Sequence, residues 1–309
     1  MKVKIFGKEI VVEIKGEETA IPLLIVGPAS LFKKKGLLPQ ELYEHFSVHF
    51  VDFFEAVETP SLIDYSKLTL DDFVNGIEQI RIQLKIDKMA LFAHSANGVL
   101  ALEYANKYTE RVFFNILIGT MPIWGNFRKN LTMDFFQLNA SKKRKNIDEI
   151  SQSISPSTEI SGSEKFIAQY KARKAQFFGE DNLINSTSEI DHLWDDVKLD
   201  MDLVNRYFTV IADYDLRSDQ YNSIPTFVAL GLYDASCPFY AWTDDFKKWV
   251  STRKQPVPFE EIIKLYIFDS DHYPMSPLFN QNKSTVFVEK LLEYKESFLE
   301  LNRKKPGLS

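Results

Sequence analysis

Short, uninterrupted apolar runs recur along this chain and limit what it can become. Pro22 to Val26, Met89 to Ala93 and Val112 to Ile118 carry almost no polar residue. A strand that shows one face to water alternates polar and apolar residues, whereas a strand covered on both faces reads as a continuous apolar run. Between these runs lie stretches of helical period. In Leu70 to Leu84, the residues Phe73, Ile77, Ile80 and Leu84 fall on one face. Strand and helix in alternation predict a mostly parallel sheet with helices on both sides.

Further strands are expected at Ser47 to Phe53, Pro225 to Gly231 and Ile262 to Phe268. Val3 to Phe6 and Ile10 to Ile14 flank Gly7-Lys8-Glu9 and read as an opening hairpin. Helices are expected over Leu38 to His45, Gly98 to Lys107, Phe239 to Val250 and Thr285 to Leu301. From about Met121 to Ser223 the rhythm changes to polar, helix-prone sequence studded with aromatics, among them Trp124, Tyr170, Phe177, Trp194 and Tyr207. The expected organisation is a core over 1–120, a helical insertion over 121–223 and the rest of the core over 224–309.

A formal net charge of −6 argues against a nucleic-acid footprint. The basic runs Lys33-Lys34-Lys35 and Lys142-Lys143-Arg144-Lys145 read as solvated faces. Cys237 is the single cysteine, which rules out an internal disulfide and fits a reducing compartment. No run approaches the roughly 20 apolar residues that span a bilayer, and the first residues lack a signal peptide's apolar stretch. A soluble cytoplasmic protein with no membrane partner is expected.

The chemistry sits where strands end, since ligands of open α/β sheets bind at the carboxyl edge. Ser95 follows the Met89 run and precedes a helix, in Ala93-His94-Ser95-Ala96-Asn97-Gly98. A serine on such a turn stands above the sheet, and the next amide faces it from a helix N-terminus. The usual Gly-x-Ser-x-Gly spelling has Ala93 at its first position and Asn97 at its last. Asp234 follows the Pro225 run in Gly231-Leu-Tyr-Asp234, and His272 follows the last strand in Asp271-His-Tyr-Pro274. A serine needs a histidine to take its proton, and the histidine needs a carboxylate to fix its tautomer. Asp234 also suits a turn or helix cap, and His272 a surface loop. Asp269 and Asp271 either raise the His272 pKa or only solvate the loop. His94 points away from its neighbour at such a turn and takes a packing role. His45, His49 and His192 have no pattern, and the acidic pairs near 180, 195 and 213 lack the surroundings of a metal site. No cofactor or metal is expected.

With Val26-Gly-Pro-Ala-Ser30, these stretches make the chain resemble α/β-hydrolase-fold proteins with a helical cap, more loosely their proline iminopeptidase-like branch. The resemblance implies an acid at Asp234 and a base at His272, in the order nucleophile, acid, base. It also implies two oxyanion donors, one from the amide of Ala96 and one from the turn after Val26. Pro28 has no N–H to give, so the expected second donor is Ala29. The expected activity is hydrolysis of a small ester or amide through an acyl-enzyme. An aminopeptidase acting on short peptides would further need a carboxylate for the substrate amine, with Glu164, Asp195, Asp202 and Asp213 available. The branch's Gly-Gly-Ser-Trp-Gly and His-Gly-Gly-Pro-Gly motifs are missing. A weakly catalytic binding protein on the same fold, favoured by Pro28 and Asn97, and a lyase or C–C hydrolase with the same triad remain as alternatives. The oligomeric state is not encoded in any of these features.

Overall fold

The computed structural model describes residues 1–57, 63–153, 162–216, 224–242, 263–280 and 283–304. The chain opens with β1 (Lys2–Ile5) and β2 (Lys8–Lys15), paired antiparallel with Ile5 opposite Lys8. The two-residue turn has Phe6 and Gly7 both at positive φ, the geometry that matches strand twist in a tight hairpin. Next come β3 (Ile21–Val26), α1 (Ala29–Lys35), α2 (Leu42–His45), β4 (Phe46–Val51), α3 (Leu70–Gln83) and β5 (Met89–His94). Then follow α4 (Gly98–Lys107) and β6 (Val112–Ile118).

Between β6 and the next strand the described chain is helical. It runs through α5 (Asn126–Asn139), α6 (Lys142–Ser153), α7 (Gly162–Ala172) and α8 (Lys174–Phe177), then α9 (Glu180–Asn185), α10 (Thr187–Asp191) and α11 (Met201–Val210). The sheet resumes with β7 (Thr226–Gly231) and β8 (Ile263–Phe268), and α12 (Ser284–Lys304) closes the described chain.

The eight strands form one sheet in the order β1-β2-β4-β3-β5-β6-β7-β8. The pairs β1–β2 and β2–β4 are antiparallel, and every pair from β4 through β8 is parallel. Every residue of β5 and β7 is buried, as their continuous apolar sequence requires. The Leu38 to His45 helix is cut to α2 because Pro39 keeps Leu38 out of helical geometry. The lysine run at 33–35 belongs to α1, which sequence periodicity did not single out. The helix expected over Phe239 to Val250 begins as a 3-10 turn at Phe239–Trp242; 243–250 lie outside the described residues.

The helical segment is tied to the sheet by polar contacts as well as packing. Lys8, 2% exposed, bonds Asp200 and the Glu55 carbonyl, and Tyr65 donates to the same Asp200 carboxylate. Tyr207 donates to the Ala96 carbonyl at 2.7 Å. Among the described residues, no helix is long and apolar enough to cross a membrane.

Candidate active site

Ser95 begins a 3-10 turn, Ser95–Asn97, that links β5 to α4. Its φ of +56° lies in the left-handed region that non-glycine residues avoid, so the turn holds the side chain in a strained, raised position. The Thr120 hydroxyl donates to the Ser95 carbonyl at 3.0 Å and braces the turn from the end of β6. Ala96 follows in the first turn of the helical stretch, where amides have no intrahelical carbonyl to bond.

Asp234 and His272 stand on the loops after β7 and β8, and both are almost fully buried. His272 Nδ1 donates to Asp234 Oδ2 at 2.6 Å. The other carboxylate oxygen accepts the amides of Ser236 and Cys237 at 2.9 and 3.0 Å. With Nδ1 carrying the proton, Nε2 of the neutral ring is an acceptor. Ser95 and His272 line the same cavity, and His272 stands beside the tip of β6. There Gly119, at φ +51°, leaves room for the imidazole, because a Cβ on it would stand 2.8 Å from His272 Nδ1.

Cys237 is buried beside Asp234 and His272. Its sulfur lies within 4.8 Å of the ligand atoms of Asp234 and His272, and its thiol contacts the Ser95 side chain. Burial, then the Asp234 charge, pushes the thiol pKa far up. A protonated thiol is no metal ligand, and both Asp234 oxygens already have partners. Asp234, Cys237 and His272 thus form one buried polar cluster below the cavity.

The structure brings Ser95, Ala96, Asp234 and His272 to one edge of the sheet, and Ala29 behaves differently. Pro28 sits at φ −75° and ψ 78°, the centre of an inverse γ-turn, so the Ala29 amide donates back to the Gly27 carbonyl at 2.9 Å. The Ser30 amide is committed to Asp52 at 2.9 Å. The expectation that Ala29 offers a free donor is corrected on this ground: the proline-centred turn consumes that N–H.

Other parts of the site were not legible in sequence. His94 is buried, stacks on Tyr273 at 4.6 Å, and donates from Nε2 to the His272 carbonyl at 3.0 Å. Burial, and then the neighbouring His272, holds it well below the ordinary histidine pKa, hence neutral. The end of α8 holds both loops: the Gln176 carbonyl accepts the Ala235 and Ser236 amides, and the Phe177 carbonyl accepts that of His272. No side-chain pattern announces backbone acceptors of this kind. Asp271 is buried, not solvating, and bonded by Asn182; desolvation raises its pKa to about 6. Asp269 is instead exposed and paired with Lys283.

The cavity over Ser95 measures about 600 Å³. Its floor is the strand-end loops, and its walls come from the helical segment, including Trp124, Tyr170, Trp194 and Tyr207.

Comparison with known proteins agrees with this architecture. No family model matches the chain. It is 25% identical over 240 residues to the AB hydrolase superfamily protein YclE of Bacillus subtilis, covering 74% of this chain and 79% of that protein. Among solved structures it resembles a hydrolase from Pseudomonas aeruginosa, with a TM-score of 0.62, 14% identity and coverage of 93% and 94%. It also resembles a proline iminopeptidase-related protein from Thermus thermophilus, with a TM-score of 0.60, 17% identity and coverage of 95% and 96%. An esterase from Thermogutta terrifontis gives 0.57, 18%, and 95% and 98%. Strand order, the serine turn after β5 and this structural likeness together make the chain an α/β-hydrolase-fold protein.

Proposed function

We propose that the chain is a serine hydrolase that cleaves a small ester or amide through an acyl-enzyme. The observation that carries this reading is the buried 2.6 Å bond from His272 Nδ1 to Asp234, in the cavity entered by a serine on a strained turn. Ser95 Oγ attacks the carbonyl carbon while its proton passes to His272 Nε2. The Ala96 amide stabilises the oxyanion, and the leaving group takes the proton from His272 as the C–O or C–N bond breaks. Water, deprotonated by the same imidazole, then releases the acid. Asp234 fixes the ring and stabilises its cationic form. In this reading 121–223 is a cap over the core of 1–120 and 224–309, and the lone cysteine suits a cytoplasmic setting.

A specific observation keeps a second reading, that of a slow, ligand-holding relative. With Pro28, Ala29 and Ser30 offering no free N–H, the oxyanion has one evident backbone donor. Loss of one such donor costs about 3 kcal/mol of transition-state stabilisation. The aminopeptidase reading is weaker. Of Glu164, Asp195, Asp202 and Asp213, Asp202 alone lines the cavity, and Asp195 is engaged by His192 and Lys171.

A fluorophosphonate probe tests the hydrolase reading. Labelling of the wild type that disappears in Ser95→Ala and in His272→Ala is the expected result. A folded wild-type protein that stays unlabelled and turns over no activated ester would overturn it.

A further inference from the structure

Two guanidinium groups face the cavity over Ser95 with no acid paired to either. Arg128 comes from the first turn of α5, and Arg173 from the junction of α7 and α8; both line the cavity. Among the described residues neither forms an ion pair, whereas Arg81 and Arg111 are each paired with a carboxylate. Arg128 lies over the Trp124 ring at 4.2 Å and donates from Nη2 to the Ser236 hydroxyl at 3.0 Å and to the Ser236 carbonyl at 3.3 Å. Its Nε is buried and has no hydrogen-bond partner. Arg173 stands at the exposed rim, over the Phe177 ring at 5.6 Å, with Nε on the Gln176 side chain. The two cations sense each other: confinement first, and then the Arg128 charge, lowers the Arg173 pKa. Asp148 acts on Arg173 from beyond ion-pair distance, since its own carboxylate is bonded to Gln152. Lys165 adds a third positive group to the wall, and among the described residues Asp202 is the one acid that lines it.

Like charges crowded beside a low-dielectric wall are costly unless something complements them. The aromatic faces behind both guanidiniums hold them flat, which leaves their N–H edges for a planar oxyanion. Arginine meets a carboxylate with two parallel hydrogen bonds, an arrangement a protein can aim. Arg128 bonds Ser236, two residues beyond Asp234, so an anion held there lies a short reach from the relay. The remaining walls are aromatic and suit a short carbon chain.

We propose that the substrate is an ester or amide whose non-reacting end carries a carboxylate, held by Arg128 and Arg173 while Ser95 attacks the other end. This assignment rests on the serine hydrolase reading and names its substrate class. It also sets the cavity against an amine-bearing substrate, because a substrate ammonium would meet two arginines.

The test compares the p-nitrophenyl hemiester of glutaric acid with its methyl-capped, uncharged counterpart. The wild type is expected to favour the charged ester in kcat/KM by about tenfold or more, as charge-assisted hydrogen bonds are worth at least that factor. In Arg128→Gln and Arg173→Gln the charged-to-neutral ratio should fall about tenfold each, chiefly through KM, while Arg128→Lys retains part of it. A ratio near one in the wild type, or a ratio unmoved in both glutamine variants, would overturn the assignment. Thermal melting establishes that each variant is folded. A protein that labels with fluorophosphonate and shows no charge preference refutes the substrate class alone. If no ester is turned over, calorimetric titration of the Ser95→Ala protein with monomethyl glutarate decides instead. Binding that weakens about tenfold in the arginine variants upholds the anion site, and its absence removes it.

Discussion

His94 holds His272 by its backbone: the Nε2–H of the first donates to the carbonyl of the second at 3.0 Å, while the two rings meet at 4.4 Å with their planes at 64°. The residue before the proposed nucleophile thus holds the loop that carries the proposed base. A neutral ring suits this task, since a cation here would oppose the imidazolium that the proposed reaction forms on His272.

Replacing that ring by one without a donor separates packing from hydrogen bonding. In His94→Phe the stack on Tyr273 persists and the His272 carbonyl loses its partner. Unfolding in urea is expected to show a loss of about 1–3 kcal/mol, the cost of a buried unsatisfied acceptor. Fluorophosphonate labelling should slow by about tenfold and not vanish, in contrast to His272→Ala.

Gly119 makes room for the base, and an added methyl group removes that room. Gly119→Ala puts a Cβ against the His272 ring and strains the backbone at φ +51°. Ester hydrolysis is expected to fall by about 10²-fold, the cost of a displaced catalytic group. Retained far-ultraviolet circular dichroism with this loss places the effect at the relay and not in the sheet.

Asp52 predicts a pH signature. Desolvation raises its pKa to about 6, against an ordinary 3.8, despite its bonds from Ser30. The folded state therefore binds a proton that the unfolded state releases between pH 4 and 6. Stability from this group falls as pH rises through that window, by about 3 kcal/mol at most. His49, lowered by burial to about 4, has the opposite slope, losing stability as pH falls from 6.5. Because His49 is common to both proteins, wild type minus Asp52→Asn isolates the aspartate. Urea unfolding at pH 4 to 7 should show the variant gaining on the wild type as pH rises to 6 and a constant difference above it.

Cys237 should be inert while the protein is folded. Burial and the Asp234 charge push its thiol pKa far up, so thiolate is scarce at neutral pH. Ellman's reagent is expected to react with it only after denaturation. Rapid reaction in the native state would show that the thiol beside Ser95 is open.

Much of the sheet was readable in the chain because burial on two faces writes itself as an uninterrupted apolar run. Met89 to Ala93 and Pro225 to Gly231 are such runs, and their ends direct attention to Ser95 and Asp234. Sequence does not separate Asp271 from Asp269, two positions apart in an irregular loop, although the first is buried and the second exposed. The fate of the Ala29 amide depends on the ψ of Pro28, which residue identity does not fix. Arg128 and Arg173 lie 45 positions apart on different helices of an irregular segment, where no period links them. Their juxtaposition is a property of packing alone.

The carbonyls of Gln176 and Phe177 come from α8, whose Phe177 lines the cavity, yet they tether the backbones beside Asp234 and at His272. Wall and machinery are thus one construction. Exchanging this wall for another would unseat the proton relay unless the replacement delivered two peptide oxygens to the same points.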